Sequence, residues 1–239
     1  ARRLASGGAS VVVCGIDADA NRKLQEESNA QGYELRVELC DVSRAEQVQA
    51  LVAKTTAQFG GLDLIANSAA IHPFGNTVET DPETWNRCLA VNVGGVYLLA
   101  HFGIPEMVKR GGGAIVVVAS VQGHACQRGV AAYATSKGAL LSLTRSLALD
   151  HAADHIRVNS ISPGSIRTPM LERSAEHFSP DLPMDTTIER FGAAHPLGRV
   201  GTVEEVAELA AFVLSERSAF CTGGDYLVDG GLLAGIGVQ

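Results

Sequence analysis

The 239 residues carry a formal charge of −7, with 46% hydrophobic and 19% charged residues, and the basic residues are scattered rather than clustered. That balance offers no cationic face, so a nucleic-acid partner is not expected, and the length suits one α/β domain spanning residues 1–239. No unbroken apolar run approaches the roughly 18 residues that span a bilayer, and Ala1-Arg-Arg-Leu-Ala has no signal-peptide apolar core. A cytoplasmic chain with no membrane partner is expected, and the five widely spaced cysteines (14, 40, 88, 126, 221) read as reduced core thiols.

In chain order, short β-branched runs alternate with helical patterns. Strands are predicted at Ser10–Cys14, Glu34–Cys40, Leu62–Ala66, Ala114–Ala119, Ile156–Ile161 and Tyr226–Val228. Helices are predicted at about 19–30, 44–59, 82–109, 130–151 and 203–214. The alternation is that of repeated βαβ units, which give a doubly wound parallel sheet in an α/β/α sandwich of three layers. Ser43 with Glu46 and Thr202 with Glu205 read as capping boxes, Asp81-Pro82 as an N-cap with proline in the first turn, and Gly60-Gly61 as a helix stop. Asn92 sits in the interior of a helical pattern, where propensity disfavours it, and so predicts a bound water or a backbone bulge. Residues 170–198, with three prolines, two methionines and two phenylalanines, show no clean strand or long helix. A surface excursion and a lid over a ligand are both open readings there.

The strongest chemical constellation is Ser120, Tyr133 and Lys137. Ser120 ends a buried strand pattern, at the carboxyl edge where open α/β sheets place ligands. Tyr133 and Lys137 are spaced i, i+4 on one helix face. A free tyrosine, with a pKa of about 10, is a poor base near neutrality, and an adjacent ammonium favours its phenolate. The residues just past Ser120, namely Gln122, His124 and Gln127, are expected to line a substrate pocket with Met170 and His72. Such a polar lining favours a hydroxylated substrate. His151 and His155 share an i, i+4 spacing without a third ligand, so no metal is expected.

These residues, in this order, resemble the short-chain dehydrogenase/reductase family, whose serine, tyrosine-x-x-x-lysine and upstream asparagine match Ser120, Tyr133, Lys137 and Asn92. Asp41-Val42 resembles the family's adenine contacts, Asn67-Ser68-Ala69-Ala70 its asparagine-rich segment, and Pro163-Gly164 with Ile166 and Thr168 its nicotinamide loop. The resemblance implies a Rossmann-like fold and hydride transfer between NAD(P) and a hydroxyl or carbonyl carbon. It further implies Tyr133 as acid/base, Ser120 orienting the substrate oxygen, Lys137 on the nicotinamide ribose, Asn92 anchoring a relay water, and a homodimer or homotetramer.

The family's first strand and T-G-x-x-x-G-x-G turn are missing, and Ala1–Ala9 resembles the tail of the helix that follows that turn. A truncated form of an active enzyme and a shortened homologue that binds dinucleotide poorly both fit. Asp17 lies near the position that accepts the adenosine ribose, and no Arg or Lys occupies 15–18, so NAD is favoured over NADP. Three functions compete: a dehydrogenase of a sugar, polyol or cyclic alcohol; a 3-oxoacyl-thioester reductase, with Arg128 and Arg167 available to an anionic carrier; and a non-catalytic homologue. The apolar tail at 232–238 is a candidate for burial in a partner subunit.

Overall fold

A computed structural model describes residues 1–235; the end of the tail, 236–239, lies outside them. All six strands are parallel and fall into two sheets. In one, β1 (Val11–Gly15) pairs with β2 (Leu35–Leu39). In the other, β3 (Leu64–Asn67), β4 (Gly113–Val118), β5 (Ile156–Pro163) and β6 (Asp225–Val228) lie side by side in that order. The parallel sheet is thus divided, as the loss of a central strand leaves it. No strand lies between β1 and β3 among the described residues, where the resemblance leaves its first strand out. Ala66 of β3 is exposed as a result, although it sits in mid-strand.

Helices cover both faces, which is why β4 is apolar at nearly every position. Its Ile115 and Val117 face α5 (Gly95–Arg110) and α6 (Ala131–Asp150), while Ala114 and Val116 face α9 (Val203–Leu214) on the other side. Of the predicted starts, the Thr202–Glu205 capping box forms with both of its hydrogen bonds. Asp81 caps α4 (Pro82–Leu89) through Thr84 N–H, and Gly60 ends α3 (Ala45–Phe59) in the left-handed conformation. The box at Ser43 does not form. Asp41 captures both the amide and the hydroxyl of Ser43 at 3.0 and 2.7 Å, and α3 has Arg44 at its N-cap, with no side-chain hydrogen bond there.

The long helix at 82–110 is long and apolar enough to cross a bilayer by length and composition, a feature that counting unbroken apolar runs missed. It packs as a core helix instead, against α3 and α6. A π turn at Ala90–Gly94 interrupts it, the bulge that an interior Asn92 predicted. Gly95 faces inward: a Cβ there would lie 2.7 Å from Val42 Cγ2. The segment at 170–198 is more ordered than its composition suggested, forming α7 (Pro169–Phe178) and α8 (Met184–Ala193). Thr168-Pro169 starts α7 with the same N-cap and first-turn proline as Asp81-Pro82.

Candidate active site

Ser120 leaves the carboxyl end of β4 in an extended conformation, and its Oγ accepts the Gln122 amide at 3.1 Å to start a short 3-10 turn, Val121–Gly123. That turn lies against α6 so closely that a Cβ on Gly123 would meet the Lys137 carbonyl at 2.9 Å. The sequence spacing Ser120–Tyr133–Lys137 thereby becomes one wall. Tyr133 and Lys137 rise from the first two turns of α6, and the ammonium nitrogen stands 5.4 Å from the centre of the phenol ring. All three side chains are buried and all line one cavity of about 1390 Å³.

Lys137 Nζ donates to the Val118 carbonyl at 2.7 Å, and burial pulls its pKa down to about 8. Burial pushes the Tyr133 phenol up to about 12, with Ser120 hydrogen bonding working in the opposite direction. In the protein alone desolvation is the largest influence on the phenol. Asn92 is buried just behind this wall and does not line it. Its carboxamide is consumed by the protein, accepting Ile71 N–H at 2.8 Å and donating to Ile71 O at 3.0 Å and Ser136 Oγ at 2.9 Å. The side chain therefore staples the segment after β3 to the long helix.

Of the other expected site residues, Asn67, Pro163, Gly164, Ile166, Thr168, Gln122, Gln127 and Met170 line the cavity, as does His72. Several do not. Asp17 spends its carboxylate capping α2 (Ala18–Gln31), accepting from Asp19 N and Ala20 N. Asp41 is tied to Ser43 and to Arg87, whose guanidinium lies 2.9 Å away, and Val42 is buried in the core beside α3. Ala69 is exposed outside the cavity, although Ser68 and Ala70 border it. His124 turns away, its Nε2 lying 2.7 Å from Asp225 Oδ2 on β6. Arg167, proposed for an anionic carrier, pairs with Asp185 and Glu172.

Sequence reasoning missed Ser174, Arg173 and Phe191, which α7 and α8 bring to the cavity. It also missed His195, a buried ring that accepts the Ser165 amide at 3.1 Å and lies 2.8 Å from where a Gly164 Cβ would stand. His195 thus shapes the turn that follows β5, and only glycine fits at 164.

A family profile described as "Enoyl-(Acyl carrier protein) reductase" matches residues 1–233. L-fucose dehydrogenase of Bos taurus is 38% identical over 99% of this chain and 84% of its own length. Cyclohexanol dehydrogenase of an Acinetobacter strain is 35% identical, over 95% of this chain and 86% of its own. The chain belongs to the short-chain dehydrogenase/reductase family. Among solved structures, ligand-free aldohexose dehydrogenase of Thermoplasma acidophilum superposes with a TM-score of 0.89 at 30% identity, covering 100% of this chain and 91% of that one. Actinorhodin polyketide ketoreductase with NADPH gives 0.93 at 31% identity, covering 97% and 90%.

The protein is an oxidoreductase of that family, whose members use NAD(P) to act on small molecules. Its residues fit such a group at the nicotinamide end. The buried Asn67 Nδ2 at the carboxyl edge of β3 has no partner among the described residues, and Asn67 lines the same cavity as Pro163, Gly164, Ile166 and Thr168.

Proposed function

We propose that the protein transfers hydride between NAD and a sugar, polyol or cyclic alcohol or its carbonyl product, with Tyr133 as acid/base. The observation that carries this reading is the common wall: a phenol, a hydroxyl and a buried ammonium from β4 and α6 border one large cavity. When bound, a nicotinamide gives or takes the hydride. The chain's own groups handle the proton and the orientation. Ser120 holds the substrate oxygen beside the phenol, and the raised Tyr133 pKa keeps the proton on the tyrosine at neutral pH, ready for a carbonyl oxygen. Alcohol oxidation needs the phenolate, so its rate should climb as the medium becomes alkaline.

NAD is preferred because no Lys or Arg stands at 15–18 to meet a 2′-phosphate. The likeness to a ketoreductase with NADPH makes the comparison worth measuring directly. The test follows absorbance at 340 nm with a panel of sugars, polyols and cyclic alcohols, each with NAD and with NADP. Turnover of hydroxylated substrates with a lower KM for NAD supports the reading, whereas turnover of plain ketones alone, or a preference for NADP, overturns it.

A second reading, a 3-oxoacyl-thioester reductase, has support in the family profile's description and the ketoreductase likeness. Reduction of an acetoacetyl thioester in that panel faster than any sugar would favour it. We further propose assembly through α5 and α6, which leave Tyr97, Val108 and Leu149 exposed. Light scattering that gives a monomer mass at micromolar concentration would exclude this.

A further inference from the structure

Outside the cavity, rings hold the far end of α7. Phe74 and His177 stack with centres 3.9 Å apart and planes 5° from parallel, and Phe178 meets Phe74 edge-on at 5.5 Å. Phe178 also lies against Gly129, where a Cβ would stand 3.6 Å from its Cε1. The backbone closes this circuit, because Gly75 N–H donates to the Gly129 carbonyl at 2.7 Å and Ala131 N–H donates to the Gly75 carbonyl at 3.1 Å. The ion pairs of the region involve Glu172 and Asp185, one on either side, so among the described residues rings rather than charges anchor 175–178.

The circuit ends at the reacting phenol. The His72 ring stands 5.1 Å from Phe74 and 4.2 Å from Tyr133, edge-on to both. Ser174, one turn before Phe178, adds a contact to His72 at 3.3 Å. Ala131, which Gly75 holds, precedes Tyr133 by two residues. Phe74 is half-buried and does not border the cavity, whereas Met170, Leu171 and Ser174 of α7 do. One side chain outside the site therefore touches α7 and, through His72, the packing around the phenol. An aromatic pair is worth about 2- to 10-fold in an equilibrium, so losing the two that Phe74 makes with α7 weakens the docking of that end by about 4- to 100-fold.

We propose that Phe74 is a positioning residue for the reaction: it clasps the end of α7 to the segment leading into α6, which fixes the wall of Met170, Leu171 and Ser174 and keeps water from the Tyr133 ring. The inference rests on Tyr133 as acid/base and adds the group that maintains its surroundings. Burial is what holds the proton on this phenol. An opened clasp admits water beside the ring, stabilises the phenolate and moves its formation to lower pH. The same opening loosens the wall that meets the alcohol, while Pro163, at the end of β5, is left in place.

The first readout needs no turnover. Absorbance at 295 nm near pH 10.5, each protein read against its own Tyr133→Phe counterpart, isolates this one phenolate, with circular dichroism at the same pH checking the fold. The wild type should show about 5% phenolate or less, and Phe74→Ala about a quarter or more. The second readout is the KM of the fastest alcohol in the sugar, polyol and cyclic-alcohol panel. It should rise about 3- to 30-fold in Phe74→Ala while the dinucleotide Kd, by fluorescence quenching, stays within about twofold. His177→Ala removes one partner of the stack at an exposed position, so it spares the core and should move both readouts the same way by less. Phe74→Tyr keeps the ring and should stay within about twofold of wild type in both. Unchanged ionisation and KM in Phe74→Ala and His177→Ala overturn the clasp, as does an equal rise in alcohol KM and dinucleotide Kd. A phenol freed by Phe74→Ala in a protein that turns over no alcohol upholds the clasp and sinks the redox reading. Turnover with neither readout moved does the reverse.

Discussion

Replacing Asn92 with leucine should destabilise the fold by about 3 kcal/mol, because the substitution keeps the branched shape of the side chain and removes the staple. Asn92 is 1% exposed, and its carboxamide satisfies both backbone groups of Ile71. Each orphaned group costs about 1 to 3 kcal/mol when buried. Ile71 is only half-buried, which holds the pair to the lower half of that range. Ser136 keeps its bond to the Tyr133 carbonyl at 2.6 Å and adds little. For a chain of this size, about 3 kcal/mol lowers Tm by roughly 6 to 12 °C. Urea unfolding followed by far-ultraviolet circular dichroism gives the free energy, with Asn92→Asp as a companion. Aspartate still accepts Ile71 N–H, but it cannot donate to Ile71 O and it buries a charge, so it should be at least as damaging. A loss below about 0.5 kcal/mol in the leucine variant, with an unchanged urea slope, would refute the staple.

His72 should make stability fall with acid. The unfolded chain takes up this proton near the ordinary histidine value of 6.5, whereas the fold resists it down to about 4, so stability is lost as pH drops through that interval. The loss is up to about 3 kcal/mol, and His72→Phe should flatten that part of a urea-midpoint profile; an unchanged slope would contradict the buried, uncharged ring. Lys137 is a stability liability of the same kind. Its folded pKa of about 8 lies below the ordinary 10.5, so wild-type stability should rise between pH 8 and 10. Lys137→Met should abolish that rise along with activity, and a rise that persists would place the titration elsewhere. Gly123→Ala must fit a methyl 2.9 Å from the Lys137 carbonyl and 3.0 Å from Leu141 Cδ1. It should cost about 1 to 3 kcal/mol and raise KM for the alcohol more than for the dinucleotide, and equal KM effects would count against the turn's role in shaping the substrate end.

Much of this architecture is legible because the signals are local. The Ala114–Ser120 run, the capping box at Thr202 and the i, i+4 pair on α6 each specify their neighbourhood within a few residues, and each stands where the sequence puts it. What escaped was decided by competition or by distance. Ser43 has the composition of a cap, yet Asp41 reaches it first. Asp17, read as a ribose contact, also caps α2 through one carboxylate oxygen, a role that reading did not include. His124 is drawn to Asp225, 101 residues away, a contact that no spacing rule contains. The helix at 169–178 was readable from Thr168-Pro169, a cap of the kind recognised at Asp81-Pro82, but the prolines that follow masked it, and the helix at 184–193 starts without a side-chain cap.

The measurement that bears most directly on the whole account is turnover by Tyr133→Phe, which removes one oxygen from the wall. With dinucleotide binding checked separately by fluorescence quenching, kcat for alcohol oxidation should fall by at least about 100-fold while the dinucleotide Kd stays within about threefold. A variant that keeps more than about a third of wild-type kcat would contradict the assignment of the proton to this phenol.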